Sequence, residues 1–301
     1  MKNKLPVILD VDTGIDDAAA IVMACYQKQL DVQLITCCFG NTTQSHIVRN
    51  TITVLENIHK QNIPVCAGAS ASIKNKLHKI RAHGINGLGG YEKEIFTEPL
   101  AINYIDAMHD IISKNPLTYI IACGPCTNIA NFIKRYPQDI NKIKLILVTG
   151  ANEVDKINPY LNFNIHVDID SCKYVLNHVP NIIFCTSDMG HRAYIPTSDI
   201  TKTAKYGETG QFLASLYPFH KDRTVQDGVA LHDACGVAWL AKPKMFTISY
   251  AKAEFKLSSK GVEYLEFDYH NDNPNVIVTT DINTKEFYKW YYKTLKSIKL
   301  K

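Results

Sequence analysis

The sequence predicts an α/β fold with a mostly parallel central sheet flanked by helices. Near-continuous apolar runs of strand length recur along the chain, as is typical of parallel strands that are covered on both faces. They alternate with stretches of helical periodicity. After about residue 243 the pattern changes to alternating strands and a closing helix, which indicates a small β-rich C-terminal extension. Linker composition, repeats and low-complexity tracts are absent from the sequence, so we expect residues 1–301 to form a single domain.

The predicted elements follow one another as strand and helix over most of the chain. The predicted parallel strands are Pro6–Leu9, Val32–Phe39, Thr118–Ala122, Lys144–Val148 and Ile182–Thr186. The predicted helices are Asp16–Gln29, Ser45–Lys60, Ala101–Ser113, Thr127–Arg135 and Ser171–His178. The extension is predicted as strands Phe255–Leu257, Glu263–Asp268 and Asn275–Thr280 with a helix over Lys285–Ile298. Two long stretches, Lys79–Gly90 and Gly150–His166, have neither period, and irregular segments of this kind are often functional.

Composition excludes several classes of protein. The net charge is only +4 and the lysines and arginines are scattered, which argues against nucleic-acid binding and favours a small-molecule partner. The first apolar run ends at Asp10, too early for a signal peptide, and no run approaches membrane-spanning length. We therefore expect a cytoplasmic protein without a membrane partner. The nine cysteines lie mostly inside apolar runs, which favours buried, reduced thiols over disulfides or zinc.

Four aspartates, Asp10, Asp12, Asp16 and Asp17, follow the first apolar run within eight positions. Residues two apart on a strand face the same side, so Asp10 and Asp12 project together. Gly14 permits a turn, after which Asp16 and Asp17 begin a helix whose dipole favours each charge by roughly 0.3–1 kcal/mol. That is too little to hold several carboxylates together. A cation is therefore expected, and oxygen ligands suit Ca²⁺ or Mg²⁺.

Three interpretations of these aspartates compete. A simple helix start explains only two of the four. An EF-hand loop would need an acidic residue at its twelfth position, where this chain has Ile21 or Met23. A catalytic metal site at the carboxyl edge of a parallel sheet, where α/β folds bind ligands, accounts for all four.

The spacing D-x-D-x-G-x-D-D, followed by a helix of small residues, resembles the opening signature of the inosine-uridine nucleoside hydrolases. Six further segments resemble motifs of that family and occur in the same order. They are Phe39–Asn41, Pro64–Ala69, His83–Gly89, Gly124–Ala130, Phe163–Asp168 and Leu231–Ala234. The fourth of these also gives a non-metal explanation for the C-x-x-C formed by Cys123 and Cys126. With seven motifs in order, the chain is identified as a member of this family.

The resemblance implies hydrolysis of the N-glycosidic bond of ribonucleosides by a Ca²⁺-bound water, through an oxocarbenium-like ribosyl transition state. Carried over by position, the metal ligands are Asp12, Asp17, the backbone carbonyl of Thr127, and Asp233. Asp12 would also accept the proton of the attacking water. Family members are commonly homodimers or homotetramers, so one of these assemblies is expected.

The same resemblance assigns residues to the sugar. Asp16 would bind a ribose hydroxyl, and Asn41 and Asn164 would also contact the ribose. Asp10 would support the loop and the helix start from behind the metal ligands.

On the base side, the resemblance places His83 and His232 near the leaving nucleobase. His232 is the predicted proton donor because it precedes Asp233. Phe212 and Tyr217 are candidates for lining the base pocket, although core packing explains their helical spacing equally well. The remaining histidines considered are expected to be solvated side chains: His46, His59, His109 and His220.

One region departs from the family pattern. Alignment on Pro159 and on Phe163-Asn164 places Lys156 where the family has Asn and Asn162 where it has Glu, the two residues that hold the ribose 5′-hydroxyl. The local formal charge rises by about two units. Two hypotheses follow. The chain is a catalytically weak paralogue that binds a nucleoside-like ligand, or it hydrolyses 5′-modified nucleosides or nucleotides with Lys156 as a phosphate partner.

An alternative of another class is a phosphotransferase of the haloacid dehalogenase type. The segment D-x-D-T superficially fits its nucleophile loop, with Asp10 as nucleophile and Asp12 as acid. That chemistry leaves the late His-Asp pair and the His83–Gly89 loop without a role, so nucleoside hydrolysis is favoured. Ca²⁺-dependent release of free base separates the two.

Overall fold

The computed structural model describes residues 4–72, 82–157, 159, 161–221 and 227–299. Its strands are β1 (Leu5–Val11), β2 (Leu30–Cys37), β3 (Val65–Ala67), β4 (Thr118–Ala122), β5 (Ile143–Leu147), β6 (Ile182–Phe184), β7 (Ile195–Pro196), β8 (Gly228–Val229), β9 (Phe246–Leu257), β10 (Glu263–Asp268) and β11 (Val276–Ile282). Its helices are α1 (Ile15–Tyr26), α2 (Gln44–Asn57), α3 (Tyr104–Lys114), α4 (Thr127–Arg135), α5 (Phe163–Val167), α6 (Ile169–His178), α7 (Ser187–Arg192), α8 (Thr197–Ala204), α9 (Gly207–Leu216), α10 (His232–Ala241) and α11 (Thr284–Lys299).

A nine-stranded sheet in the order β10-β9-β11-β6-β5-β4-β1-β2-β3 forms the centre of the fold. The six strands from β6 to β3 in this order pair in parallel, and β11 adds to β6 in parallel as well. β9 runs antiparallel to both β11 and β10. This arrangement confirms the predicted parallel sheet and shows that the β-rich extension continues it. Strands β7 and β8 form a separate antiparallel pair.

Successive residues of β1 point alternately into two apolar cores, one on each face of the sheet. Val7 and Leu9 pack with residues of α1, α2, α9, α10 and α11. Ile8 packs with residues of α3, α4 and α6. The period of two in a strand therefore serves both layers, which is why the strand sequence is apolar without interruption.

The structure differs from the sequence prediction mainly after residue 186. Helices α7 to α9 and the pair β7–β8 were outside the predicted elements, and β9 begins at Phe246 rather than at Phe255. The first part of β9 contains Thr247, Ile248, Ser249 and Tyr250, which are exposed or half-buried. It is a strand because it pairs with β11, for example Ala251 with Val276.

Two further expectations can be compared with the structure. All nine cysteines are free thiols, and all but Cys25 are buried, which confirms the burial that the sequence predicted. Within the described residues, no helix has both the length and the apolar character needed to cross a membrane. Residues 82–90 and 150–162 contain no helix or strand where they are described, as predicted, whereas residues 79–81 of the first irregular stretch lie outside the described residues. The prediction that the second irregular stretch extends to His166 is wrong, because α5 begins at Phe163.

Candidate active site

The predicted aspartates converge at the carboxyl end of β1, beside the first turns of two helices. Asp10 lies in β1, Asp12 directly follows it, and Asp16 and Asp17 lie in the first turn of α1. Asp233 lies in the first turn of α10. No more than 6% of any of these five residues is exposed. The fold thus buries five carboxyl groups near one another, although the last is far from the others in sequence.

Burial and mutual repulsion make these groups reluctant to ionise without a cation. Burial, followed by the charge of Asp17, raises the pKa of Asp12 well above its ordinary value. Burial, followed by the charge of Asp16, raises the pKa of Asp17 to about 7. Burial, again followed by Asp16, raises the pKa of Asp233 in the same direction. A positive ion at this position would reverse all three effects.

Three carboxylate oxygens in the cluster are buried without a hydrogen-bond donor among the described residues. They are Asp10 Oδ2, Asp16 Oδ1 and Asp17 Oδ1. Asp17 and Asp233 place carboxylate oxygens within 4.8 Å of each other and of Cys123 Sγ. Burial raises the pKa of the Cys123 thiol well above its usual value. The other ligand atoms of this group are carboxylate oxygens, which suit a hard cation such as Ca²⁺.

Asp12 is fixed by the loop that follows β2. The backbone N–H of Asn41 donates to Asp12 Oδ2 at 2.8 Å, and Asn41 Nδ2 donates to the backbone carbonyl of Asp12 at 3.1 Å. A Cβ atom on Gly40 would lie 2.1 Å from Asp12 Oδ2. Only glycine leaves room for the carboxylate here, which gives the Phe39–Asn41 motif a steric reason.

Asp10 connects several segments behind the cluster. Its Oδ1 accepts hydrogen bonds from Thr36 Oγ1 at 2.5 Å and from Asn128 Nδ2 at 2.7 Å. Asn128 Oδ1 in turn accepts from the backbone N–H of Ala69 at 2.8 Å. Burial raises the pKa of Asp10 to about 7, and the two hydrogen bonds oppose that rise. These contacts are those of a supporting residue that holds β2, α4 and the end of β3 together.

Thr127, at the first position of α4, is held by a residue from a later motif. Its hydroxyl donates to Asp168 Oδ2 at 2.5 Å, and Asp168 also accepts from Ser171 Oγ at 2.8 Å. Asp168 caps the start of α6. Sequence reasoning included Asp168 in a motif without giving it a function, and the structure shows that it positions α4.

Asn162 and Asn164 lie at the start of α5, close to the end of β4. Asn162 Oδ1 accepts from Thr149 Oγ1 at 2.6 Å and from the backbone N–H of Asn164 at 3.2 Å. Asn164 Nδ2 donates to the backbone carbonyl of Cys123. The structure therefore brings Asn164 to the strand edge that carries the aspartates, and Asn162 holds it there.

Lys156 is placed elsewhere. Its side chain is 69% exposed, and its Nζ forms an ion pair with Glu266 of β10. Glu266 also pairs with Lys256 of β9, and these two lysines hold the pKa of Glu266 below its ordinary value. In this structure Lys156 thus contacts the antiparallel extension and not the aspartate cluster.

His83 lies against the start of α1, and a second histidine accompanies it. His83 Nδ1 accepts from the backbone N–H of Ile15 at 3.1 Å and lies 3.8 Å from Asp16 Oδ1. The ring of His220 lies 5.0 Å from that of His83, and ligand atoms of both histidines and Asp16 lie within 4.8 Å of one another. The expectation that His220 is a solvated side chain is therefore wrong. The backbone N–H of Lys221 donates to the carbonyl of Ala82 at 2.8 Å, which joins the two segments.

The expectation of solvated side chains also fails for His109. Its Nδ1 lies 2.6 Å from Asp139 Oδ2, and its ring stacks on Tyr136 with centroids 4.0 Å apart. His46 and His59 are exposed, as expected.

His232 begins α10 and contacts another histidine that the sequence did not suggest. The ring of His191, in α7, lies 4.9 Å from that of His232 at an interplanar angle of 84°. A Cβ on Gly190 would lie 2.1 Å from His232 Nδ1. The signal available in the sequence was the glycine beside a histidine in Met189–Arg192, but α7 itself was not predicted.

Phe212 and Tyr217, the two candidates for a base pocket, lie in the apolar core. Tyr217 is 1% exposed, and its hydroxyl group is 2.5 Å from that of Tyr291. The Phe212 ring packs against Tyr91 with centroids 5.2 Å apart. Core packing, the alternative that the sequence left open, is what the structure shows for these two side chains.

Several known proteins are similar to this chain in sequence and in fold. The family model described as inosine-uridine preferring nucleoside hydrolase matches residues 7–289. The non-specific ribonucleoside hydrolase RihC of Klebsiella pneumoniae is 30% identical over 296 residues, covering 95% of this chain and 97% of that protein. RihC of Salmonella paratyphi B is 34% identical over 253 residues, with 82% of each chain covered. The solved structure of a purine-preferring ribonucleoside hydrolase from Gardnerella vaginalis superimposes with a TM-score of 0.88 at 22% identity, covering 98% of this chain and 99% of that chain.

Proposed function

This chain belongs to the inosine-uridine preferring nucleoside hydrolase family and is therefore a hydrolase acting on N-glycosyl bonds. We propose that it releases the free base from ribonucleosides in a Ca²⁺-dependent reaction. The observation that carries the proposal is the buried set of Asp12, Asp17 and Asp233 at the carboxyl end of β1. Carboxylates buried in this number need a cation, and the sheet edge is where ligands bind in such folds.

Membership of the family implies a metal ion, and the residues present fit one. Asp12, Asp17, Asp233 and the backbone carbonyl of Thr127 would hold it, and the unpartnered Asp17 Oδ1 is an oxygen that a cation would satisfy. When bound, Ca²⁺ would balance the clustered negative charge and make a nearby water easier to deprotonate. Oxygen-only ligation is the reason for proposing Ca²⁺ rather than zinc.

Asp12 is assigned the role of accepting the proton from the attacking water. The N–H of Asn41 holds Oδ2, so Oδ1 is the oxygen assigned to proton acceptance. Its position beside the proposed cation makes it an effective base, because the cation would make the water next to Asp12 easier to deprotonate. Asp10 keeps β1 in place through Thr36 and Asn128 but takes no proton in this scheme.

At the other end of the broken bond, His232 is assigned the role of donating a proton to the leaving base. Gly190 leaves space for the His232 ring, and the His191 ring lies nearly perpendicular to it. His83 is assigned to the base side, where its Nδ1 is fixed by Ile15 N–H. Donation by a held imidazole lowers the charge that the departing base must carry.

The ribose is assigned to Asp16, Asn41 and Asn164. Asp16 Oδ1 is buried and without a hydrogen-bond donor among the described residues, so a ribose hydroxyl can supply one. Asn164 is held at Cys123 by its side-chain amide. These residues would orient the sugar, and orientation of this kind supplies a large part of enzymatic rate enhancement.

The 5′ position remains the part of the site where this chain departs from its family. Asn162 is engaged by Thr149 and Asn164, and Lys156 by Glu266. Those contacts favour a plain nucleoside with a weakly held 5′-hydroxyl over a nucleotide. Comparing the rates of hydrolysis of uridine and uridine 5′-monophosphate decides between them. A subsite that binds an anionic 5′ group requires preference for the monophosphate. If the two substitutions limit turnover, Lys156→Asn with Asn162→Glu raises activity on plain nucleosides.

The deciding experiment measures free base released from a panel of purine and pyrimidine ribonucleosides, with Ca²⁺ and with a chelator. We expect release with Ca²⁺, loss on chelation, and loss of at least about 10³-fold in kcat for Asp12→Asn. Asp110→Asn is the matched control, since Asp110 is an exposed residue of α3. Release that persists in Asp12→Asn would refute the assigned base. Nucleoside binding without release would favour the weak-paralogue hypothesis.

We also propose that residues 1–301 form one domain and that the protein assembles as a homodimer or homotetramer. The first proposal is supported by the single sheet that runs from β3 to β10, and the second by the family alone. Light scattering coupled to gel filtration measures the assembly, and limited proteolysis tests the domain.

A further inference from the structure

A groove of about 610 Å³ opens between the carboxyl ends of α1 and α10 and the side of α11. Its lining comes from three distant segments of the chain, residues 26–29, 242–245 and 283–297. The volume lies within the range of small-molecule sites, about 300–1,000 Å³. Neither the family motifs nor the proposed reaction uses any of these residues.

The groove is strongly cationic. It is lined by Lys28, Lys242, Lys244, Lys289 and Lys293 and by a single acidic side chain, Glu286. Glu286 is 3.4 Å from Lys289. The other four lysines have no carboxylate oxygen within 4.0 Å among the residues that the structure describes. The whole chain has a net charge of only +4, so positive charge is concentrated here.

Nearby backbone dipoles do not balance this charge. Two helix carboxyl ends, those of α1 and α10, face the groove. Each contributes a partial charge of roughly −0.5, about one negative charge in total. Five lysines against one glutamate and these two helix ends leave a clear excess of positive charge, which an anion would relieve.

The wall of the groove also contains a buried donor. Trp290 lines the groove and is 6% exposed, and its indole Nε1 has no hydrogen-bond acceptor among the described residues. Buried donors without acceptors are rare in folded proteins. The lysine ammonium groups that line the groove are charged donors, so the matching ligand is rich in acceptors and negatively charged.

We propose that this groove is a second binding site, which takes the phosphate groups of a small polyanion. The site is separate from the aspartate cluster. α1 and α10 carry Asp16 and Asp233 in their first turns and end at the groove, and their 12 and 10 residues correspond to lengths of about 18 Å and 15 Å. A ligand of this volume in the groove is therefore out of contact with the aspartates.

The test titrates the full chain with inorganic tripolyphosphate, without added divalent cations, by calorimetry and by tryptophan fluorescence. The chain contains two tryptophans, so Trp239→Phe makes Trp290 the sole reporter, and calorimetry on the unchanged chain covers the case in which that variant misfolds. We expect saturable binding and a change in Trp290 emission. Lys242→Gln with Lys293→Gln should weaken binding by about tenfold or more, because two charge-assisted contacts are lost.

Lys285→Gln with Lys296→Gln is the matched control, since both lysines are exposed on α11 and neither lines the groove. Its affinity should stay within about twofold of the unchanged chain. Adenosine 5′-triphosphate distinguishes the source of the phosphates. Equal affinity for it shows recognition of phosphate alone, and at least about tenfold tighter binding shows a nucleotide site.

Several results would overturn the proposal. They are absence of saturation at millimolar tripolyphosphate, equal weakening in the control variant, and tighter binding of a single-stranded RNA than of tripolyphosphate. Conversion of an oligomer to monomers by Lys242→Gln with Lys293→Gln would show that the groove is a subunit interface. None of these readouts depends on nucleoside hydrolysis.

Discussion

Removal of divalent cations is expected to make the protein less stable as pH rises from about 5.5 to about 7.5, because the buried aspartates then ionise without a counter-ion. Burial raises the pKa of both Asp10 and Asp17 from 3.8 to about 7. Between these values the folded state binds more protons than the unfolded state. The stabilisation that results is complete at low pH and is lost as pH rises through the folded pKa.

The size of the effect follows from those two pKa values. One carboxyl group with a pKa of 3.8 when unfolded and about 7 when folded contributes about 2 kcal/mol more at pH ~5.5 than at pH ~7.5. Both groups are fully buried, so solvent screening does not reduce this figure. The two groups together account for about 4 kcal/mol, which for a chain of this length corresponds to a fall in Tm of about 6–8 °C.

The assay is thermal unfolding at both pH values with a chelator and with excess Ca²⁺. The chelated protein should melt at a lower temperature at the higher pH. Added Ca²⁺ should raise the Tm more at pH ~7.5, by about 3 kcal/mol in stability at a hundredfold excess over Kd. Asp17→Asn should reduce the pH dependence of the chelated protein. A Tm that rises with pH in the chelator would refute the reasoning.

Two substitutions test other parts of the structure. Gly40→Ala places a Cβ 2.1 Å from Asp12 Oδ2. Because displacement of a catalytic group by about 1 Å can cost about 100-fold in rate, kcat/KM for base release should fall by about 100-fold with a small change in Tm. Unchanged kinetics would show that the loop adjusts freely. Tyr217→Phe removes the buried hydrogen bond to Tyr291 and should lower the free energy of unfolding in denaturant by about 1–2 kcal/mol, with kcat/KM within about twofold. A large change in KM would place Tyr217 in the base pocket.

Much of the fold could be predicted because the local hydrophobic pattern of the strands agrees with the way the sheet is covered in the whole structure. The uninterrupted apolar runs of β1, β4 and β5 predict strands covered on both faces, and the structure shows two cores on those faces. The aspartate cluster could be predicted for a related reason. Asp10 to Asp17 lie on one strand end and the helix after it, so their proximity depends on short-range geometry.

What sequence reasoning missed depends on contacts between distant segments. β9 reaches back to Phe246 because β11 pairs with it, although Thr247 and Ser249 give a poor strand pattern. His220 was expected in solvent, but the loop at Ala82, which is distant in sequence, brings it against His83. Lys156 was a candidate phosphate ligand from the sequence, but in the structure it forms an ion pair with Glu266, which lies more than a hundred positions later in the chain. No periodicity carries that information.

The position of α10 ties completion of the site to the order of synthesis. A ribosome delivers β1 and α1 early, whereas Asp233 and the apolar side of α10 that packs with Ala18–Ala24 of α1 follow only after residue 231. Until then the nascent chain presents an uncovered helix of small residues beside four of the clustered aspartates and lacks the fifth, Asp233. Binding of the cation and packing of the core around α1 thus occur together and late. A truncated chain that ends before α10 should neither bind the cation nor complete this core.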